Sequence, residues 1–452
     1  MYKYSQVVDS IRDEIQSGKR KPGDKLPSIK ACATSYGYNS DTIVKAYQIL
    51  EEEHLIYSTP KSGYYVVKSL ISKEKKDGLI DMITVRPPDS INPYKDFYHC
   101  MEKSISIYKN KLMEYSQTQG MEELRAVLVK HLMNFQIFTK ADDLFITTGA
   151  QQALYILATM PFPGCGGKVL VEQPTYAVML QTLKCNNVPV VGIKRTVNGI
   201  DLQELEAIFQ TGEIKFFYTM PRYQNPTGFC YSERDKKAIL RLAAKYSVYI
   251  VEDDYLADLE IEGKANSLFS MDRSEHVIYI QSFSKTLLPG LRLGVAIVPK
   301  SLQENFHMFK QNIDLNTPVL NQGALEIYLK SSMYPSHVVR TKKFYQHKME
   351  VLKTACEQWL PKEITYHVPS TGIYAYLELH NQSAHRLVQR LSKAGMLISD
   401  IFNCFIEGVE RSEGIRLCVC NCEEEELQEV IKKIGEQVVC SRKRRINDFN
   451  IQ

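Results

Sequence analysis

The sequence of 452 residues predicts a multidomain protein: a small helical unit closed by a hairpin, then a large α/β unit. Three observations carry this. Three short amphipathic stretches at helical spacing fill the first fifty-odd residues, and two alternating stretches follow around the turn "PKSG" (60–63). The polar run "SLISKEKKDG" (69–78) reads as a flexible linker, set at residues 69–79. From Ile80 onward, strand-like and helix-like runs alternate over about 360 residues, the pattern of an α/β architecture.

Each N-terminal element has its own signals. "SQVVDSIRDEIQSG" places Val7, Val8, Ile11 and Ile15 on one helical face, and Gly18 stops it. "KPGDKLPS" is a turn, and "IKACATSYG" is a second helix ended by Gly37. "NSDTIVKAYQILEEEHLI" is a third, with Asn39 or Ser40 as N-cap and Ile43, Ala46, Tyr47 and Leu50 inward. "LIYSTPKSGYYVV" then alternates, turns and alternates again, as a hairpin wing does. Helix, turn, helix and wing over residues 1–68 make a winged helix-turn-helix, whose third helix can enter a major groove. "GKRKPGDKLPSIKACATSYGYNSDTIVKAYQILEEEHLI" resembles the DNA-binding module of the GntR superfamily. Residues 1–75 carry 12 Lys and Arg against 9 Asp and Glu, a modest basic excess. The resemblance implies DNA as a partner, with Ser28, Lys30, Ser40, Thr42, Lys45 and Lys61 as candidate contacts. Lys30 and Ser40 stand where the family commonly has arginine. Neither can make the bidentate contact of a guanidinium, so base preference departs from the family pattern.

Composition bounds the rest. Hydrophobic residues make up 44% and charged residues 24%, ordinary for a globular chain. No apolar run approaches the ~18–20 residues of a membrane span, and the amphipathic, acid-bearing N-terminus is unlike a signal or transit peptide. A cytoplasmic protein with no membrane partner is expected. Eleven cysteines, an odd number without framework spacing, read as thiols. "CVCNC" (418–422) invites a metal assignment. Alternate residues on a strand lie ~6–7 Å apart, too wide to converge on one ion without a bend. These cysteines therefore read as small hydrophobes on a strand face, and no metal is expected. The tail 441–452, with "SRKRR", reads as a solvated basic cluster.

The α/β unit, residues 80–440, carries its chemistry at strand ends. "HVIYIQSF" delivers the chain to "SKTLLPGLRLG", where Ser282, Ser284 and Arg292 can hold a phosphate beside Lys285. "VEDDY" (251–255) puts acids at another strand end, where a carboxylate can hold a protonated pyridine nitrogen. "MPRYQNPTG" (220–228) sets Asn225 in a proline turn, its amide aimed rigidly. "TTGAQQAL" (147–154) is a glycine turn entering a helix whose free N–H groups suit a phosphate. "EQPTYAV" (172–178) puts Tyr176 where its ring could stack on a flat cofactor.

In this order and spacing the motifs resemble the fold type I aminotransferases, which use pyridoxal 5′-phosphate. That implies a large domain with a mostly parallel sheet and a small C-terminal α+β domain. With the N-terminal module, the whole chain resembles the MocR-type (GabR-like) GntR regulators. The resemblance assigns Lys285 to covalent attachment of pyridoxal phosphate and Asp253 to its pyridine nitrogen, with Asp254 a neighbour lacking that contact. Asn225 and Tyr255 would approach the ring's phenolic oxygen, and Tyr176 would stack on the ring. Ala150, Gln151, Ser282, Ser284 and Arg292 would hold the phosphate. Tyr115 in "EYSQTQG" would reach the phosphate of a neighbouring subunit in a homodimer, with the N-terminal modules free to swap; Ser116 stands where the family usually has glycine. Arg416 in "GIRLCV" would clamp a carboxylate through two parallel hydrogen bonds.

Two functions fit these motifs. One is a transcription regulator whose aminotransferase-like domain senses pyridoxal phosphate or an amino acid effector. The other is an active aminotransferase with an auxiliary DNA-binding domain. A complete winged helix adds nothing to catalysis, which favours the regulator.

Overall fold

A computed structural model describes residues 3–21, 23–52, 55–59, 62–67, 78–261, 266–380 and 382–449. The chain divides into two compact units, Met1–Gly78 and Leu79–Gln452. Most of the expected linker lies outside the described residues.

The N-terminal unit holds three helices, Lys3–Gln16, Ile29–Tyr36 and Ser40–Glu52, and a hairpin of β1 (Ile56–Thr59) and β2 (Gly63–Val66). Val7, Val8, Ile11, Ile43, Ala46, Tyr47 and Leu50 are buried together, as the helical spacing predicts. Ser28 caps the second helix by accepting from the Ala31 amide at 3.2 Å. Gly37 ends that helix in the left-handed region (φ 67°), where its N–H reaches the Ala33 carbonyl. Asn39 settles the cap of the third helix: its Oδ1 accepts from the Thr42 amide at 3.0 Å, and the helix starts at Ser40.

In the C-terminal unit, β3 (Ile80–Asp81) comes first. The main sheet follows with β4 (Leu144–Thr147), β5 (Lys168–Gln173), β6 (Val190–Thr196), β7 (Gly199–Ile200), β8 (Ile214–Thr219), β9 (Tyr249–Asp253), β10 (Val277–Ser282) and β11 (Gly294–Ile297). Its order is β4-β11-β10-β9-β8-β5-β6-β7. The five central strands, β10, β9, β8, β5 and β6, run parallel; β11, β4 and β7 pair antiparallel. Every residue of β8 and β10 is buried, as helices covering both faces require. The parallel strands deliver their carboxyl ends, and the loops after them, to one edge.

A smaller sheet combines β12 (Ile364–His367), β13 (Tyr374–Leu379), β15 (Ser399–Asp400) and β16 (Gly414–Cys418), while β14 (Met396–Leu397) pairs with β3. This is the small α+β part expected at the C-terminal end. Two expectations need correction. β16 ends at Cys418, so Cys420 and Cys422 lie in the turn after it rather than on a strand face; all three are buried. The last helix runs Glu424–Phe449, so the residues expected as a separate tail from 441 continue it. No helix among the described residues is long and apolar enough to cross a membrane.

Replacing the capping side chain leaves a helix-start amide without its acceptor. Asn39→Ala should cost about 1 kcal/mol of stability. A melt followed by a probe in the N-terminal unit should show the loss, with the C-terminal unit's transition unmoved.

Candidate functional site

The strand ends enclose a cavity lined by Ala150, Gln151, Leu154, Tyr176, Met220, Asn225, Asp253, Tyr255, Ser282, Ser284, Lys285, Arg292 and Tyr374. All but Leu154, Met220 and Tyr374 were expected from the sequence. Lys285 enters from the loop after β10, Asp253 from the end of β9, Asn225 from the turn after β8, and Tyr176 from the loop after β5.

Asp253 is the most constrained of them. It is 4% exposed. Its Oδ2 accepts from the Tyr218 hydroxyl at 2.9 Å, while its Oδ1 is buried without a hydrogen-bond partner. Burial pushes its carboxyl up to about 7; the Tyr218 hydrogen bond pulls the other way, and the Asp254 charge adds to the rise. Burial lowers the Lys285 ammonium; the Cys420 and Cys418 thiols oppose this, and the Arg416 and Arg292 cations add to it. A lysine held this way offers more free amine at neutral pH, as attachment to an aldehyde requires.

The end of the cavity expected to take a phosphate is built from backbone and hydroxyls. The helix Ala150–Thr159 begins at Gly149 (φ 73°) with no side-chain cap, leaving its first amides for a ligand. A Cβ on Gly149 would stand 2.8 Å from Arg292 Nη2, so glycine is what lets the guanidinium pack over this turn. Ser284 Oγ is buried without a partner, and Ser282 Oγ accepts from the Ser284 amide at 3.2 Å. One cleft thus holds an unpaired carboxylate oxygen, an unpaired hydroxyl, an uncapped helix start and a depressed lysine. These fit pyridoxal phosphate: the carboxylate its ring nitrogen, the hydroxyl and helix start its phosphate, the lysine its aldehyde.

Other expected residues are placed with differences. Arg416 lies at the cavity margin, its guanidinium 4.6 Å from the centre of the Tyr374 ring and its Nη1 donating to Asn225 Oδ1 at 3.2 Å. That bond uses the amide oxygen of Asn225 and leaves its nitrogen for a ligand. Arg416 Nε is buried without an acceptor. Tyr255 lines the cavity, but its hydroxyl donates to the Tyr223 carbonyl at 2.5 Å. Asp254 turns away to Arg222 and to the Tyr279 hydroxyl. Tyr115 is 87% exposed and outside the cavity.

Ser28, Lys30, Ser40 and Lys45 are exposed, Ser28 as the cap of the second helix and the others on the second and third helices of the N-terminal unit. Thr42 is half-buried, with its hydroxyl on Asn39; Lys45 Nζ lies 4.6 Å from the Tyr4 ring centre. Lys61 lies outside the described residues.

Four residues that shape the site belong to none of the roles expected from the motifs. Tyr218 fixes Asp253, and Tyr374 supports Arg416. Glu172, fully buried, accepts from Thr219 (2.7 Å), Tyr231 (2.7 Å) and Gln224 (2.9 Å), and Gln224 also donates to the Pro174 carbonyl at 2.7 Å. Glu172 and Gln224 thereby tie the Tyr176 loop to the Asn225 turn. The available signal was for Glu172 alone, an acid inside the apolar strand run "LVEQ".

Residues 90–434 match the family "Aminotransferase class I and II", and residues 3–66 match "Bacterial regulatory proteins, gntR family". The chain belongs to the aminotransferase class I and II family. Its N-terminal unit is a gntR-type DNA-binding unit, and the two in this order form the MocR-type arrangement. Among relatives of this GntR–aminotransferase chain is YcxD of Bacillus subtilis (strain 168), an uncharacterized HTH-type transcriptional regulator. It is 40% identical over 438 residues, covering 96% of this chain and 99% of that protein. Among solved structures, kynurenine aminotransferase of Pyrococcus horikoshii in complex with PMP superposes with a TM-score of 0.75 at 26% identity, over 80% of this chain and 91% of that one. The α-aminoadipate aminotransferase LysN of Thermus thermophilus, complexed with N-(5′-phosphopyridoxyl)-L-leucine, gives 0.73 at 26% identity, over 80% and 92%.

The Asp253 environment has a pH signature in the cofactor-free protein. Its carboxyl keeps a proton between the ordinary 3.8 and about 7 that the unfolded chain has already lost. Stability therefore falls as pH rises through that window. Asp253→Asn removes this contribution. Thermal melts should show the variant gaining on the parent protein between about pH 4 and about pH 7; a constant difference would refute the assignment.

Proposed function

We propose that this GntR–aminotransferase chain is a transcription regulator that binds pyridoxal 5′-phosphate at Lys285. The arrival of the cofactor, or of a carboxylate-bearing amine upon it, alters how the winged helix engages DNA. The observation that carries the cofactor assignment is Asp253 Oδ1, buried and unpaired at the end of β9 in the cavity that Lys285 also lines.

Each residue has a part in this reading. Lys285 supplies the amine that attaches the cofactor. Asp253 holds a proton at the ring nitrogen, which makes the ring an electron sink when bound. Tyr218 keeps the carboxylate oriented. The Ala150 and Gln151 amides, Ser282, Ser284 and Arg292 hold the phosphate. Tyr176 stacks on the ring, and Asn225 donates its amide to the ring oxygen. Arg416 takes the carboxylate of an effector through a paired contact. On the DNA side, Ser28, Lys30, Ser40 and Lys45 are the exposed contacts from the two helices, with Thr42 beside them.

A homodimer completes the proposal. Tyr94, Tyr98 and Ile105 are exposed large hydrophobics at intervals of four and seven along the helix Tyr94–Tyr108. A stripe of that kind suits a second copy, and Tyr115 nearby in sequence would then reach the partner's phosphate. The second function, catalytic transamination, has one feature in its favour: Lys285, Asp253 and Arg416 are of the residue types it needs.

Three measurements test this. Purified protein should show a visible absorbance band with pyridoxal phosphate, and Lys285→Ala should lose it; an unchanged spectrum would sink the attachment. Light scattering coupled to size exclusion should give twice the chain mass, against a monomer with full cofactor occupancy. Footprinting on the DNA upstream of the protein's own gene should show protection that changes with pyridoxal phosphate or amino acids. Absent protection, with many amino-group transfers per chain, would hand the function to the enzyme.

A further inference from the structure

The cysteine turn has no part in holding the cofactor, yet it touches both the pocket and the start of the C-terminal unit. The segment Leu79–Thr84 opens the C-terminal unit at the linker's last residue. On one side it joins β14: Ile80 N donates to the Gly395 carbonyl and Met82 N to the Leu397 carbonyl, both at 2.9 Å. On the other side it is held by residues 418–422. Cys418 N donates to the Met82 carbonyl at 3.1 Å. Cys418 Sγ and Asn421 Nδ2 both donate to the Thr84 carbonyl, at 3.4 and 3.1 Å, and Cys422 Sγ to the Asp81 carbonyl at 3.4 Å.

The same turn continues the strand that carries Arg416. Cys418 closes β16, and Arg416 precedes it by two residues, on the same face of that strand. Arg416 reaches Asn225, and the Cys418 and Cys420 thiols act electrostatically on Lys285. Behind the turn, Tyr345 donates to Cys420 Sγ at 3.6 Å and Lys348 Nζ to the Cys422 carbonyl at 2.6 Å. Both come from the long helix Met333–Trp359. β16 sits between β13 and β15 in its sheet, so any displacement of it would be shared with both neighbours.

We propose that a carboxylate bound at Arg416 is communicated along β16 and the Cys418–Cys422 turn to Leu79–Thr84, the stretch from which the chain continues to the DNA-binding unit. This rests on the pyridoxal phosphate site proposed above, with Arg416 as its carboxylate partner. Nη1 of Arg416 is held by Asn225 while its Nε is buried without an acceptor, so a carboxylate would load the guanidinium from a new side and bear on the strand's position. The amide and thiol contacts at Met82, Thr84 and Asp81 follow, because they belong to the strand's own continuation.

Two ligands that differ by one carboxylate isolate this path: N-(5′-phosphopyridoxyl)-L-alanine and N-(5′-phosphopyridoxyl)ethylamine. Hydrogen exchange of the full chain, followed by mass spectrometry, reads peptides over 79–85 and 414–418, while calorimetry reads binding. With the alanine adduct, exchange over 79–85 should change by about three-fold or more relative to the ethylamine adduct. In Asn421→Ala and in Cys422→Ala, the difference should persist at 414–418 and shrink at 79–85. Equal exchange over 79–85 with both adducts bound overturns the coupling and leaves the pocket intact. Failure of both adducts to bind overturns the pocket, and the coupling with it.

Discussion

A buried carboxylate with one oxygen unpaired is the constraint on which the C-terminal unit turns. Desolvating Asp253 is costly, and Tyr218 satisfies only one of its oxygens. A stability-driven fold would replace such a residue with an apolar one. Retaining it makes sense when a cationic partner arrives from outside. The parallel strands deliver this group and the lysine to one edge, beside the uncapped helix start at Gly149. Glu172 is the second polar hub, locking two of the delivering loops together where hydrogen bonds, not apolar packing, set their spacing.

In the proposed function the pocket receives the ligand, and the fused winged helix gives that arrival a consequence. A site that keeps its lysine, aspartate and arginine suits sensing and turnover equally, because both begin with the same capture step. What separates them is the output. Relatives such as YcxD share both units across nearly their whole length, whereas the aminotransferase structures cover about four-fifths of the chain. Selection of a bound state by a ligand requires that the ligand favour one arrangement over another. Under the proposed function that choice falls to Arg416, whose guanidinium already donates to Asn225.

Much of this was legible in the sequence because the relevant groups sit at punctuated strand ends. Gly149 before "AQQ", the aspartates after "YIVE" and the lysine after "QSFS" announce themselves by breaking an apolar run. The helices of the N-terminal unit were legible for the complementary reason: glycines at 18 and 37 and a polar cap at 39 bound each apolar stripe. What escaped is second in line from the ligand. Tyr218 sits inside "KFFYT", where a tyrosine looks like any other strand hydrophobe, and only the register of β8 beside β9 turns its hydroxyl to Asp253. The bend after Cys418 was also invisible. Alternation predicts a strand through "CVCNC", but the chain must turn there to receive Thr84 and Asp81, residues more than three hundred positions earlier. Tyr255 shows the same limit, its hydroxyl drawn to a backbone carbonyl that no motif records.

The central claim is that one lysine links cofactor occupancy to DNA binding. Fluorescence anisotropy on a fragment from upstream of the protein's own gene measures this directly, with the full chain and its Lys285→Ala variant titrated with and without pyridoxal 5′-phosphate. The cofactor should change the DNA affinity of the parent chain by about ten-fold, the coupling expected of a switch worth about 1–2 kcal/mol, and leave the variant's affinity unchanged. Equal affinities for the parent chain with and without the cofactor, at full occupancy of the site, would contradict it.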